Sequence, residues 1–303
     1  MHLDAELWNL MYPQDLRVPE ENLSNYSAVP EGSFEEHWAI VEAGRDVGLV
    51  SALDLEGKER PEMVNANALV HPDYEEALFA HATEFGEAIA RRAGAARVST
   101  WVTDEYPVRC SWLTEHGYKC IQSVPVTRLD LDEFDPAPFL DRVRRLLDSG
   151  IRIVTAAELD DKGFDWIPKL HVAAEAMMED VPFTHEPPKI SLDAYRSMLQ
   201  DKATYDFRLM FMALDGEEIV GYSRVTPAIG MPGLVRTGLS GTLRSHRRRG
   251  VVTALKVAGI QSLRQMGYLW LQTDNDETNP MYQINLQLGF KVAWHWLQFG
   301  RGL

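Results

Sequence analysis

The same order of helices and strands occurs twice in this chain, and that duplication is the strongest limit on how it can fold. Aligning Val70-His71-Pro72-Asp73-Tyr74-Glu75-Glu76-Ala77 with Leu243 to Gly250 brings the following helix and strand of the two halves into coincidence. Gly117, in His116-Gly117-Tyr118, lies 40 residues beyond Ala77, and Gly289, in Leu288-Gly289-Phe290, lies 39 beyond Gly250. Shared order at shared spacing is the mark of one folded unit built twice. Asp132 to Pro138, acidic and interrupted by proline, is the best linker in the chain. Two domains are therefore expected, over residues 1–145 and 146–303.

Periodicity and turn residues place the elements. The first half opens on a short helical pattern, Asp4 to Arg17. A hairpin follows, Ser33 to Glu42 against Val47 to Leu55. Strands at Met63 to Val70 and Arg97 to Val102 flank a helix at Tyr74 to Ala93, stopped by Gly94. Pro107 to Glu115 is helical and Tyr118 to Leu131 extended. No strand precedes the first helix, so this half needs a smaller sheet or a borrowed strand. The second half reads as a helix at Phe139 to Leu147 and a strand at Ile151 to Ala156. Helices at Trp166 to Met178 and Leu192 to Gln200 follow, joined by the proline-rich loop Asp180 to Pro188. A hairpin then turns on Asp215-Gly216, between Phe207 to Leu214 and Ile219 to Thr226. Leu234 to Thr242, Tyr268 to Thr273 and Val292 to Phe299 are strands; Val251 to Met266 and Pro280 to Leu288 are helices. Interleaved helices and strands make the fold class α/β (α+β mixed sheet).

The chemistry concentrates where strand Leu234 to Thr242 meets helix Val251 to Met266, through Leu243-Arg244-Ser245-His246-Arg247-Arg248-Arg249-Gly250. The first turn of a helix carries N–H groups with no internal partner and a partial positive charge. Arginines at its entrance add full charges, and a glycine lets a ligand approach the backbone. Such a turn suits a pyrophosphate. The first copy has Tyr74-Glu75-Glu76-Ala77 instead, and carboxylates at a helix start repel a phosphate. Only the second copy is expected to hold the anion.

Net charge is −15, which argues against a nucleic-acid binder. Residues 1–145 hold 13 basic and 27 acidic side chains; residues 146–303 hold 17 and 18. The anion site thus falls in the half that carries almost none of the excess acid. No apolar run approaches the roughly 20 residues that span a bilayer, so no membrane association is expected. Met1 to Leu10 carries Asp4 and Glu6 without an apolar segment, unlike a secretory leader. The two cysteines, Cys110 and Cys120, have no metal-ligand spacing and read as reduced thiols of a cytoplasmic protein. No metal site is expected.

Arg247-x-x-Gly250 at a strand-to-helix turn, then Asn279-Pro280-Met281, then Asn285-x-x-x-Gly289-Phe290, resembles the GNAT superfamily of acyl-CoA-dependent N-acyltransferases, in the tandem arrangement also found in mycothiol synthase. The resemblance covers the second copy end to end and the first in outline. It implies two GNAT-like domains, each a curved mixed sheet flanked by helices, the first degenerate. It also implies that Leu234–Thr242 and Tyr268–Thr273 splay apart to admit the pantetheine arm of acetyl-CoA. The sixth turn position, usually Gly or Ala, is Val252 here.

By this resemblance Thr242, Leu243, Arg247, Arg248, Arg249, Gly250, Val251, Val252 and Asn279 form the cofactor set. Leu243 contributes backbone, and Asn279 reads equally as a helix cap. Catalytic residues are less defined, because Asn285 stands where many relatives carry a tyrosine acid and the strand Arg236 to Thr242 lacks a carboxylate. Tyr282, one turn earlier, is the candidate acid. Glu179 and His185, with Asp180, are candidate bases in the loop that shapes the acceptor pocket of relatives. The expected reaction is acetyl transfer from acetyl-CoA to a small-molecule or peptide amine by a monomer or homodimer. A non-catalytic acyl-CoA sensor is the alternative. Another nucleotide at the same turn is the third reading, and it lacks the expected fingerprints.

Overall fold

The computed structural model describes residues 2–19, 33–54, 62–181, 189–201 and 204–303. In chain order the elements are α1 (His2–Met11), β1 (Glu35–Glu42), β2 (Arg45–Leu53), β3 (Met63–Val70), α2 (Glu75–Arg92), β4 (Arg97–Thr103), α3 (Pro107–Glu115) and β5 (Lys119–Asp130). They continue with α4 (Leu140–Asp148), β6 (Ile151–Thr155), α5 (Ala156–Asp161), α6 (Ile167–Met178), α7 (Leu192–Met198), β7 (Met210–Asp215) and β8 (Glu218–Pro227). The chain closes with β9 (Leu234–Thr242), α8 (Val251–Gln265), β10 (Trp270–Asp274), α9 (Pro280–Gln287) and β11 (Lys291–Gly302). Two compact units result. One comprises Met1–Val126, Ile229–Met231 and Ala293–Leu303, the other Thr127–Ala228 and Pro232–Val292. The boundary expected at 145/146 falls inside α4, and the second compact unit already begins at Thr127.

In the first unit the strand order runs β1-β2-β3-β4-β11. Neighbours are antiparallel except β3 and β4, which pair in parallel over Met63–Asn65 and Arg97–Ser99 only. Among the described residues nothing takes the place beside β1 that the opening strand β6 takes beside β7 in the second copy; the far end of the chain instead adds a strand at the other edge. Trp296 to Gly302 of β11 pairs with Thr103 to Arg97, which keeps β4 from standing as an open edge. Helix α2 packs Phe79, Ala82, Ile89 and Ala90 onto Val50, Val64, Val70 and Val98.

In the second unit the order runs β10-β9-β8-β7-β6. Again one pair is parallel, β9 with β10 over Leu234–Arg236 and Trp270–Gln272, and the others are antiparallel. Two cores cover its two faces. β7 illustrates why: Met210, Met212 and Leu214 point to the core under α5, α6 and α7, and Phe211 and Ala213 to the core under α4, α8 and α9. Helix α8 lies close on β8 because Gly221 has no side chain. A Cβ there would sit 2.5 Å from Val251 Cγ1 and 3.0 Å from Leu255 Cδ1. Helix α5, which the sequence reading passes over, starts with a capping box: Thr155 accepts from Glu158 N, and the Glu158 carboxylate accepts from Thr155 N at 2.7 Å. The parallel strand β10 begins two residues later than the expected Tyr268, since Leu269 and Trp270 both donate to Gly233 O. Among the described residues no helix is long and apolar enough to cross a membrane.

One group in this core is costly. Lys256 on α8 is buried, and no described residue pairs with its ammonium. Burial pushes its pKa from 10.5 down to about 8. The unfolded chain therefore holds the proton more tightly, and stability rises with pH between about 8 and 10.5. Below that window the full penalty of an enclosed charge persists. Lys256→Met is expected to raise unfolding free energy at pH 7 by about 1–3 kcal/mol in urea denaturation. The rise between pH 8 and 10.5 should flatten in the variant; a rise of undiminished slope would trace it to another group.

Candidate functional site

Strand β9 ends at Thr242, and a short 3-10 turn over Arg244–His246 redirects the chain. Arg248 then takes φ +61° and Gly250 φ +88°, the left-handed region that favours glycine. These values turn the backbone so that Gly250 caps α8 without a side-chain hydrogen bond. Among the described residues, the N–H groups from Arg248 to Thr253 have no hydrogen-bond partner; the first helical bond is Ala254 N to Gly250 O. A Cβ on Gly250 would also lie 3.1 Å from the Arg142 side chain of α4. A row of open donors at a helix start, with no side chain in front of them, is an anion cradle.

The cradle opens into a cleft of about 1310 Å³, lined by residues of β9, the turn, α8, α9 and α4 and by the end of α6. Two of its arginines are already engaged. Asp180, just beyond α6, accepts from Arg244 Nε and Nη2 at 3.1 and 2.9 Å and also from Arg247 Nη2. Hydrogen bonding from Arg244 holds the Asp180 carboxyl below its usual range, so it stays ionised. Glu179 lies 3.6 Å from Arg244 and is largely exposed. His246 turns away to Asp215 at 3.1 Å. Asp180 thus neutralises two of the guanidinium groups beside the cleft.

Beside the turn, β9 and β10 part after Arg236 and Gln272. The opening is widened by a bulge. Between Ser223↔Ser240 and Val225↔Thr237, β9 spends one more residue than β8. Thr242 Oγ1 and Thr237 Oγ1 are both buried without a partner, and Thr242 lines the cleft. Orphaned polar atoms of this kind mark a place where a ligand completes the bonding.

The first unit shows the same frame closed. Counted from the first parallel pair, Asn67 on β3 holds the place that Gly238 holds on β9. Its Oδ1 accepts from Trp101 N at 2.8 Å and from Thr100 Oγ1 at 3.3 Å, bridging β3 to β4 where they would part. At the helix start, Glu75 grips the buried Arg109 of α3 with both oxygens at 2.5 Å, and Arg109 also donates to Ala68 O at 3.1 Å. The divergence of Glu75 thereby brings with it an internal cation.

The residues named from sequence divide as follows. Thr242, Arg247, Arg248, Arg249, Gly250, Val251, Val252 and Asn279 line the cleft together. Leu243 does not; its side chain packs into both cores and its N–H donates to Val220 O. Val252 buries its side chain and leaves its N–H open. Asn279 caps α9 by accepting from Met281 N at 2.9 Å. Tyr282 is buried and lies outside the cleft lining. Asn285 is fully buried, donating to Asn275 Oδ1 at 2.8 Å, with its own Oδ1 unpartnered. His185 lies outside the described residues. Arg142 was not anticipated, since it reaches Gly250 from α4; Arg244 stood in the turn outside the cofactor set, and its pairing with Asp180 is what no local pattern reveals. Among the described residues no group of three or more His, Cys, Asp or Glu could hold a metal ion.

Residues 174–290 match the model of the Acetyltransferase (GNAT) family. This stretch is similar to GNAT domains. The fold of the whole chain is similar to a GCN5-related N-acetyltransferase from Sphaerobacter thermophilus, at 18% identity and TM-score 0.67 over 99% of this chain and 91% of that one. It is similar to the tandem GNAT protein from the clavulanic acid biosynthesis pathway, also at 18% identity and TM-score 0.67, over 99% and 94%. A GNAT-family acetyltransferase from Colwellia psychrerythraea follows at 12% identity and 0.63, over 98% and 96%. At these identities the likeness is one of fold. No curated protein matches the chain in sequence. The GNAT match runs from within α6 through Phe290 and so contains the turn, the parting strands and Asp180. The α4 side of the cleft lies outside it.

Removing the internal competitor should sharpen anion binding. Asp180→Asn is expected to tighten CoA about 2- to 10-fold in calorimetric titration, as exposed ion pairs of this kind are worth roughly 0.2–1 kcal/mol each. A weakened affinity would mean instead that Asp180 positions the arginines. In the first unit, Arg109→Met leaves Glu75 without its cation. A loss of about 3 kcal/mol is expected in denaturation, and no change in CoA affinity.

Proposed function

We propose that the second unit binds an acyl-CoA, acetyl-CoA foremost, at the Thr242–Thr253 turn and transfers the acyl group to a primary amine. The observation that carries this reading is the row of open N–H donors from Arg248 to Thr253 beneath Arg244 and Arg247. A diphosphate matches both the donors and the guanidinium charges. The pantetheine arm runs from there between β9 and β10, against backbone left free by the parting of the strands. It places the thioester near the bulge at Gly238–Ser240, where the GNAT match supports an acyl-transfer centre.

Transfer forms a bond between the amine nitrogen and the acyl carbon and breaks the carbon–sulfur bond, with the amine proton leaving and a thiol released. The protein's part is alignment of the amine with the carbonyl, and donors for the developing oxyanion. An ammonium is no nucleophile, so its proton must leave first. Glu179, Asp180 and His185 are the candidate acceptors for it, and Tyr282 the candidate donor to the thiolate. Of these Asp180 is the one that lines the cleft. It does so at the diphosphate end of the cleft, held by Arg244 and Arg247 and an arm's length from the thioester. A non-catalytic acyl-CoA sensor is the second reading. The burial of Tyr282 away from the cleft favours it, since no other acid is at hand for the thiolate.

Titration of acetyl-CoA into the wild type and into the double variant Arg247→Ala, Gly250→Glu tests the site. Loss of about 100-fold or more is expected, because the glutamate places a negative charge and a side chain at the start of the helix. Equal affinity in the two proteins would place the cofactor elsewhere. Thiol release from acetyl-CoA over a panel of amines then separates enzyme from sensor: turnover with any amine supports transfer, and binding without turnover supports the sensor.

A further inference from the structure

Beyond the bulge, on the face of β8 and β9 covered by α6 and α7, stands an arginine with no counter-charge among the described residues. Arg224 of β8 lies across β9 at Gly238, where a Cβ would come within 2.9 Å of its Nε and 3.0 Å of its Nη2. Its guanidinium sits 4.5 Å from the Tyr205 ring. Nη1 is buried and has no hydrogen-bond partner, and among the described residues Arg224 forms no ion pair. The contrast with Arg109 is instructive. That arginine, buried in the first unit, is matched by both oxygens of Glu75 and by a carbonyl. The described residues thus satisfy an arginine that serves packing and leave Nη1 of Arg224 without a partner, at a desolvation cost that a ligand's anion would offset.

The surroundings define what such a ligand meets. Tyr195 of α7 and Tyr222 of β8 belong to the core on this face, with Tyr205 and Leu239 against it. Burial holds the Tyr195 and Tyr222 hydroxyls well above their ordinary pKa, so they stay neutral beside the cation and provide no counter-charge. Tyr222 pairs across the sheet with Gly241, and Gly241, Ser240 and Met177 line the cleft described above. Gly238 lies two residues from Ser240, about 7 Å along a strand. A group held by Arg224 is therefore one amino-acid length from where a thioester between β9 and β10 would end.

We propose that Arg224 binds a carboxylate of the acceptor, which makes the acceptor class an amine that also bears a carboxylate, of the amino-acid type. The guanidinium fork matches a carboxylate through two parallel hydrogen bonds, and the tyrosine rings form the wall beside it. The carboxylate is held and not consumed. The amine nitrogen of the same molecule takes the acyl group as the carbon–sulfur bond breaks, and its proton leaves to the base named above. This inference rests on the acyl-transfer reading of the cleft.

The test is calorimetric and needs no turnover. CoA is titrated first into the wild type, Arg224→Gln and Arg224→Lys. Equal CoA affinity in all three is expected and certifies the fold of the variants; failure of CoA to bind the wild type overturns the acyl-CoA reading itself. The amino acids and their carboxamides are then titrated into each protein, with and without saturating CoA. At least one amino acid should bind the wild type roughly 10- to 100-fold tighter than its carboxamide. The ratio should collapse to about 1 in Arg224→Gln and fall to an intermediate value in Arg224→Lys, which keeps the charge and loses the fork. A wild-type protein that binds CoA but binds no amino acid better than its carboxamide overturns the role of Arg224. So does a preference that survives in Arg224→Gln.

Discussion

A helix leaves the N–H groups of its first turn without internal partners, and at the start of α8 nothing in the described chain takes them up. The rest of the second unit is arranged around that deficit. Gly250 supplies the backbone conformation that points the donors into open space, and Gly221 lets the first turn of α8 sit on β8 without displacement. Arg244 and Arg247 stand over the opening, with Asp180 held between them. A carboxylate in that place keeps two guanidinium groups neutralised while no ligand is bound. It is held by exposed contacts, so it yields to a group with more charge.

The two units show one frame in two states. Each joins a parallel pair of strands for three residue pairs and then faces the point where the strands would part. In the second unit glycine stands there and the gap stays open. In the first, the Asn67 amide spans the gap and Glu75 with Arg109 closes the helix start. A closed site of this kind gains packing and loses ligand. Its buried ion pair is stable only because both partners are present, which ties Glu75 and Arg109 to each other.

Arg109 and Arg224 bring the same logic to the level of single side chains. Arg109 is buried and Arg224 partly so. Arg109 has acceptors inside its own unit, and Arg224 has an aromatic ring beside it and an Nη1 donor without a partner among the described residues. The difference is visible only once partners are counted, since the sequence around either residue is unremarkable.

The sequence by itself determined the duplication, the element order and the anion-binding turn. These depend on local periodicity, on glycine at a left-handed position and on charge at a helix end, all of which act within a few residues. The expected strand-to-helix turn at Thr242–Val252 stands in the structure with its N–H groups open, and the capping role open to Asn279 is the one it fills. Helix α5 was legible too, through Thr155 and Glu158, had the capping box been weighed against the strand before it. What only tertiary structure decided is which charges meet. Asp180 reaches Arg244 across 64 residues of chain, Arg109 reaches Glu75 across 34, and β11 returns from the far end to pair with β4. Contacts of that kind follow from how sheet faces are covered and which strand edges remain to be paired, and no spacing in the sequence encodes them.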